Sequence, residues 1–494
     1  MHSCPNFLYG AHGMRSLLAA AAFVSVWWPA HAHALDPPTV YDNFQNYPLG
    51  SRAAGMGGAY TALACDEAAL HYNPAALGCA NASRLELAAN AYLIQAYSVP
   101  DAFGERNDID AINFHSLPSI AGGVRILSEG EEDGSNRWVF GFNVVVPHSL
   151  ILKIDPEHPE MPSILTGSIV DNIIALDVGV GWQINRYVAV GASIGGALRT
   201  YAAESHFFST TSQRVPCGTG LTCGSFYLQT ADQEALALGL RGKAGVRITP
   251  VDGLSLGLAV VSPSIDVFGT SELTGNVSYG LPDATGALIH DAVPFRYEGS
   301  SNLSMPLRLA FGIAYHAHPV TVSLDASLNF PHTVETVHEL EQIIVEGFPE
   351  LSQDIVDAAE TVHERTWQPN VNLGAEFAIA EPVVLDVGAF TDLSSVSDDA
   401  VDEGQDRVHM FGGTLALGFP GRRARGWFGV SFEMGRASAK VIPGGIDLAT
   451  LAQNGFAFTA ESTITRWTLA GFIGSNYSFY EGDNEDPPPP KPKR

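Results

Sequence analysis

The feature that most constrains this chain is a spacing. From Arg84 onward, alternating segments of about ten residues follow one another, joined by connections that are short and long in turn. The alternation is clearest in LSLGLAVV, where Leu254, Leu256, Leu258 and Val260 share one face and Ser255, Gly257 and Ala259 the other. VTVSLDASLNF repeats it, with Val320, Val322, Leu324, Ala326 and Leu328 opposed to Thr321, Ser323, Asp325 and Ser327. Successive side chains of a strand point to opposite faces, so each segment offers one apolar face and one small or polar face. Strands that turn one face to lipid and the other to a lumen have this pattern. A sandwich strand alternates too, and the connections decide between the two.

Candidate strands fall near 83–92, 112–127, 137–147, 171–184, 187–199, 226–248, 253–261, 295–316, 320–330, 366–379, 382–391, 406–419, 425–435 and 463–479, fourteen in number. Short connections read SEGEEDGSN, INR, TPVDG, HAHP, AEP and PGRRAR, and long ones fall near 93–111, 148–170, 200–225, 262–294, 331–365, 392–405 and 436–462. Short turns at one rim and long loops at the other are the plan of a bacterial outer-membrane barrel, with the turns periplasmic. An even count returns both termini to the periplasm. In hydrocarbon an unpaired backbone group is so unfavourable that Gly-broken strands stand there only in a sheet closed on itself. The expected fold is therefore all-β, a 14-stranded antiparallel transmembrane barrel. Trp138, Trp182, Tyr187, Trp367, Trp427, Trp467, Tyr477, Phe479 and Tyr480 fall near strand ends, where rings favour the headgroup level.

Composition narrows the function. With 26 basic against 53 acidic residues and a net charge of −27, the chain lacks the cationic clusters that nucleic acid requires. Hydrophobic residues at 46% exclude a disordered chain. No GxSxG, HExxH, P-loop or CxxC motif is present, so no enzyme and no cofactor are expected. His316 and His318 form an HxH pair at a hairpin with no third ligand in register, which makes no metal site.

The N-terminus reads as a secretion signal over residues 1–34: Arg15, an apolar run from Leu17 to Trp28, and Ala30, Ala32 and Ala34 in A-x-A spacing, with Met1 or Met14 as the start. Residues 35–82 are expected to form an N-terminal unit, 83–480 the barrel, and 481–494, EGDNEDPPPPKPKR, a Pro-rich periplasmic tail that extends as a stiff spacer or partner ligand. Beyond the leader, proximity pairs Cys65 with Cys79 and Cys217 with Cys223. The N-terminal unit contains GSRAAGMGGAYTALACDEAALHYNPAALG, poor in bulk and rich in Gly and Ala.

Gly50, Ser51, Arg52, Ala54, Gly55, Met56, Gly57 and Gly58, followed by Ala68, Leu70, Tyr72, Asn73, Pro74, Ala75 and Leu77, resemble the opening passage of the FadL family of outer-membrane transporters for long-chain fatty acids and related hydrophobic compounds. The resemblance implies a barrel plugged by this segment, the hatch, and passive movement of ligand through loops, lumenal pocket and hatch or wall opening. On that reading Gly55, Gly57, Gly58, Asn73, Pro74 and Ala75 carry the gating. Glycine permits close packing and positive φ, while Pro74 fixes its own φ and biases Asn73 away from the helix. The partners are a long-chain fatty acid or hydrocarbon ligand, outer-membrane lipid and lipopolysaccharide, and the barrel-assembly machinery during insertion. A barrel that serves as a scaffold or secretion-associated binding protein is the alternative.

Ligand capture falls to the long loops, where Leu150, Ile151, Leu152, Phe207 and Phe208 are apolar. Arg199, Lys153 and Arg214 are the cations available for a carboxylate. Val337, Leu340, Ile343 and Ile344, then Leu351, Ile355, Val356 and Ala359, recur at helical spacing and predict two short amphipathic helices over the barrel mouth.

Overall fold

The computed structural model describes residues 43, 48–102, 108–128, 130, 135–154, 163–210, 215–216, 222–223, 226–282, 288–343, 360–402, 405–421, 423–441 and 460–479. The leader, Arg214, Cys217, the helix expected over 351–359, Tyr480 and the Pro-rich tail lie outside them.

Among the described residues there are twenty strand segments: β1 (Ser83–Val99), β2 (Ile109–Ser128), β3 (Arg137–Ile154), β4 (Ser163–Asn185), β5 (Val188–Thr210), β6 (Val215–Pro216), β7 (Thr222–Cys223), β8 (Phe226–Val251), β9 (Leu254–Val261), β10 (Ile265–Pro282), β11 (Leu288–Ser300), β12 (Arg308–Ala317), β13 (Val320–Asn329), β14 (His332–Gln342), β15 (Thr361–Arg365), β16 (Gln368–Ala380), β17 (Val383–Asp392), β18 (Met410–Pro420), β19 (Ala424–Val441) and β20 (Ala460–Phe479). All except β6 and β7, which pair with each other, belong to one antiparallel sheet of eighteen segments. Four staves of the wall are broken in two, β9 with β10, β11 with β12, β13 with β14 and β15 with β16, so the eighteen segments make fourteen staves. The sheet closes where β1 pairs with β20, Leu93 opposite Ala470.

The alternation places side chains as expected. Leu258 and Val260 are exposed on the outer face while Ser255 and Ala259 are buried, and Val322 and Leu324 are exposed while Ser323, Asp325 and Ser327 are buried. The outer face is apolar because its solvent is lipid. Trp138 and Trp182 stack across β3 and β4 at the turn rim, ring centroids 5.0 Å apart. Trp427 differs from its neighbours: it points into the lumen and is buried, whereas Phe428 takes the outer face.

The strands run longer than the alternation suggests. β8 has 26 residues and β4 and β5 have 23 each, against the roughly 9–11 that cross hydrocarbon. Much of the expected loops at 148–170, 200–225 and 262–294 is therefore wall that stands clear of the bilayer. The helix expected from Val337, Leu340 and Ile343 is also replaced: residues 332–342 are β14, paired with β11 and β15, with a register shift between Glu335 and Val337. Val337 and Leu340 are buried on extended backbone, so strand pairing has overridden a 3.6-residue spacing.

Candidate functional site

Residues 48–80 lie against the inner face of the wall, in two short helical turns (Ser51–Gly55 and Ala69–Tyr72) and a 3-10 turn (Pro74–Cys79). Their neighbours come from around the whole circumference: Ser51 bonds to Glu86 on β1, Asn73 to β8, Tyr60 to β13 and Gly57 to β16. Small residues make this fit possible. A Cβ on Gly55 would stand 2.7 Å from Asp386 Oδ2, and one on Gly57 would stand 2.9 Å from Ala389 N. Gly57 and Gly58 also have φ of 62° and 80°, which other residues rarely adopt. The wall answers in kind: a Cβ on Gly388 would stand 2.3 Å from Gly57 N, one on Gly191 2.4 Å from Pro74 O, and one on Gly181 2.7 Å from Gly78 N.

Wall side chains fasten the segment largely through its backbone. Asp325 Oδ2 accepts from the N–H groups of Tyr60 at 2.8 Å and Thr61 at 2.7 Å. Asn372 Nδ2 donates to Gly57 O at 2.7 Å, Asn143 Nδ2 to Glu67 O at 2.9 Å, and Arg247 Nε to Ala62 O at 3.0 Å. Arg52 forms a two-point pair with Glu376, at 2.8 and 2.9 Å. Asn73 is wholly buried and works in three directions: its Oδ1 accepts from Ala75 N at 3.1 Å, while Nδ2 donates to Thr61 O at 3.0 Å and Val246 O at 3.2 Å. It thereby caps the 3-10 turn that begins at Pro74, and Pro74 surrenders no hydrogen bond there because the first N–H of a helical turn has no partner. Ala75 is buried beside it. A disulfide joins Cys65 to Cys79, stapling the second half of the segment.

Glu67 and His71 of the segment are displaced from their ordinary ranges. Burial pushes the Glu67 carboxyl well up, and the neighbouring Glu86 carboxyl adds to the effect. Burial holds His71 well down, assisted by Lys243, Arg308 and Arg241, so its imidazole is neutral.

Between the segment and the wall on the side of the long loops lies a lumenal cavity of about 70 Å3. Val145, Pro147, Ala175, Ala197, Val261, Met305 and Pro306 supply its apolar lining, and His71 enters it from the segment. Three cations line it as well. Lys243 Nζ is 2.6 Å from Asp177 and 3.1 Å from Leu70 O; Arg241 donates to Ser262 O at 3.2 Å and Pro306 O at 3.1 Å; Arg308 stands beside them. These cations were not singled out from the sequence, although their places on the lumenal face of β8 and β12 follow from the alternation. The wall is incomplete nearby. β2 pairs with β3 only from Ile120 to Ser128; beyond that point β2 pairs with β1 and β3 with β4, and among the described residues no ladder joins them. Pro147 stands at the divergence and lines the cavity. A wider depression of about 590 Å3 lies on the outer face, across Thr200, Glu234, Leu236 and Glu272, away from the lumen.

The expected capture residues are part of the wall. Leu150, Ile151 and Leu152 lie on β3 beside Gln95 and Asn113 and line a small lumenal recess, with Leu152 buried. Phe208 is exposed near the loop end of β5, and Phe207 precedes it on the same strand. Lys153 is exposed at the end of β3. Arg199 is buried and already bound to a carboxylate, with Nη2 2.6 Å from Asp171 Oδ2 and Nη1 2.8 Å from Thr336 Oγ1. Cys223 lies in β7, while its expected partner is outside the described residues. Asn43 donates to Asp392 O at 2.6 Å and Val408 O at 3.2 Å, which puts the described start of the segment toward the loop rim.

No protein-family model and no curated protein matches the chain. Solved structures resemble it in fold. The P. putida toluene transporter TodX superposes with a TM-score of 0.56 at 14% identity, covering 89% of this chain and 100% of that one. A Pseudomonas aeruginosa FadL homologue gives 0.57 at 12% identity, with the same coverages of 89% and 100%. The Ralstonia pickettii toluene transporter TbuX gives 0.54 at 13%, covering 88% and 100%.

Proposed function

We propose that this FadL-like barrel is a passive outer-membrane route for hydrophobic small molecules, long-chain fatty acids among them. Residues 1–34 act as the cleaved signal, 35–82 as the plug, and the tail from 481 as a periplasmic extension. The observation that carries the reading is the cavity: apolar on most sides, provided with Lys243, Arg241 and Arg308, and bordered by both the plug and the divergence of β2 from β3. An apolar chain ending in a carboxylate matches that lining, because a buried cation cluster favours an anion and the remaining surface favours hydrocarbon. Two of the structural neighbours, TodX and TbuX, are toluene transporters, which supports the hydrocarbon part of the reading. Gly57, Gly58, Asn73, Pro74 and Ala75 serve as the seat of the plug, and the ladder gap beside Pro147 offers a lateral way out. Movement down a gradient requires no covalent chemistry.

Cells with and without the protein provide the test, by comparing initial uptake of labelled oleate, oleyl alcohol and toluene. Faster uptake in cells carrying the protein is expected, with oleate favoured over the alcohol. Equal uptake, with the barrel shown by heat-modifiable gel migration to be folded, would overturn transport and favour the scaffold reading.

A further inference from the structure

The lumenal faces of β4, β5 and β8 fall into layers from the turn rim to the loop rim. Nearest the turns, Ala189 and Gly191 touch the plug at Gly78 and Pro74. Next, Gly195, Ala197, Ala175 and Lys243 line the cavity. Two residues further along β5 comes Arg199, about 7 Å beyond Ala197 at the usual strand rise. It pairs through Asp171 with β4, the strand beside it. The remaining bond is different in kind: Nη1 donates at 2.8 Å to Thr336 Oγ1, on a strand that is not a neighbour of β5 in the sheet.

Thr336 is held in that place from behind. Asn302 N donates to Glu335 O at 2.9 Å, and Glu335 N donates to Ser304 Oγ at 3.1 Å, so β14 is tied to the irregular segment between β11 and β12. Met305 and Pro306 of that segment line the cavity, and Leu303, Val334 and Val337 are buried around it. The segment that lines the cavity is thus tied to β14, which Thr336 joins in turn to Arg199 on β5. The cavity's volume, about 70 Å3, is less than the roughly 150 Å3 of a protein cavity that accepts benzene.

We propose that the Arg199–Thr336 hydrogen bond, with Asp171 holding Arg199 in place, is a bolt that closes the cavity on its loop side and sets the rate of access to it. Arg199 is then a positioning residue and not the ligand's anion site. Its charge is satisfied by Asp171 whether the bolt is shut or drawn, so opening separates the bond to Thr336 and leaves the ion pair intact. A hydrogen bond to a charged group is strong enough for its loss to shift the open fraction by about tenfold or more.

Thiol labelling tests this without any ligand. Ala197→Cys places a reporter in the cavity lining, and a membrane-impermeant methanethiosulfonate is applied to the full-length protein in liposomes, with the Ala197 parent measured alongside to subtract other cysteines. Thr336→Val in the reporter background should accelerate labelling about tenfold, and the charge-free pair Arg199→Met with Asp171→Leu should do so as well. Binding of a fluorescent fatty acid then separates gate from site: a drawn bolt raises association and dissociation rates together and leaves Kd within about twofold. Unchanged labelling in both variants, each confirmed as folded by heat-modifiable migration, would overturn the bolt. Loss of equilibrium affinity for the fatty acid with unchanged labelling would instead make Arg199 the anion site. Because labelling needs no transport, the bolt and the transport reading can fail separately.

Discussion

If residues 48–80 plug the barrel as proposed, replacing Asn73 by Ala should unseat them and leave the barrel intact. The side chain is wholly buried and makes hydrogen bonds at 3.0, 3.1 and 3.2 Å, two to carbonyls and one from the Ala75 N–H. Each is worth about 1 kcal/mol net, so their joint loss weakens the seat by about 3 kcal/mol. At 1.4 kcal/mol per factor of ten, the unseated fraction rises roughly a hundredfold. None of the strand ladders passes through Asn73, so heat-modifiable migration should be unchanged. Hydrogen exchange measured by mass spectrometry on the detergent-solubilised protein reads the effect directly, as faster exchange over 69–76. Asn73→Asp sharpens the test: it keeps an acceptor for Ala75 N–H but turns a carboxylate oxygen toward Thr61 O and Val246 O, and should loosen the segment at least as much as Ala does. Exchange in Asn73→Ala within about threefold of the parent, in a folded barrel, would refute the reasoning, since a seat resting on these bonds must open when all of them are removed.

Glu67 should make seating depend on pH. Its carboxyl is pushed well up by burial and by Glu86, so the seated form holds a proton that the unseated form releases. That contribution is complete below the ordinary carboxylate value of about 4.3 and is lost as pH rises through the raised value. Exchange over 66–72, corrected for its intrinsic pH dependence, should therefore accelerate with pH in the parent and flatten in Glu67→Gln; parallel profiles would contradict this. Reducing Cys65–Cys79, which are 14 residues apart, removes a restraint of about 3 kcal/mol on the second half of the plug. Faster exchange over 65–79, with 50–61 still held by Glu376 and Asp325, is expected; equal acceleration in both halves would show that the plug moves as one piece.

Much of the barrel was legible because lipid enforces a simple rule on one face. Leu258 and Leu324 point outward and Ser255 and Ser323 inward, as the alternation requires. The rule fails where lipid ends. The loop-side parts of β4 and β5 read as loop and β14 as helix, because pairing between backbones leaves little trace in a pattern of apolar side chains. Trp427 misled for a related reason: proximity to a strand end does not state which face a residue occupies. The segment along the inner wall stands out in the sequence by its glycines and the Asn-Pro-Ala triplet, but the cavity does not. Lys243, Arg241 and Arg308 are distant in sequence from His71, and only closure of the sheet brings them to one place. Arg199 reads as a cation in the sequence, and its commitment to Asp171 and Thr336 depends on strands that lie 28 and 137 residues away.

The opposed glycines of plug and wall make the two parts specific to each other. Gly388 faces Gly57, Gly181 faces Gly78, and Gly191 faces Pro74, at separations that leave no room for a methyl group on the wall. A plug transplanted from a related barrel would meet bare backbone where it needs side chains, and side chains where it needs bare backbone. The inheritance of such a protein is therefore joint: a substitution in the first eighty residues is judged by positions on strands hundreds of residues downstream, and chimeras divided near residue 82 should insert as barrels yet leak.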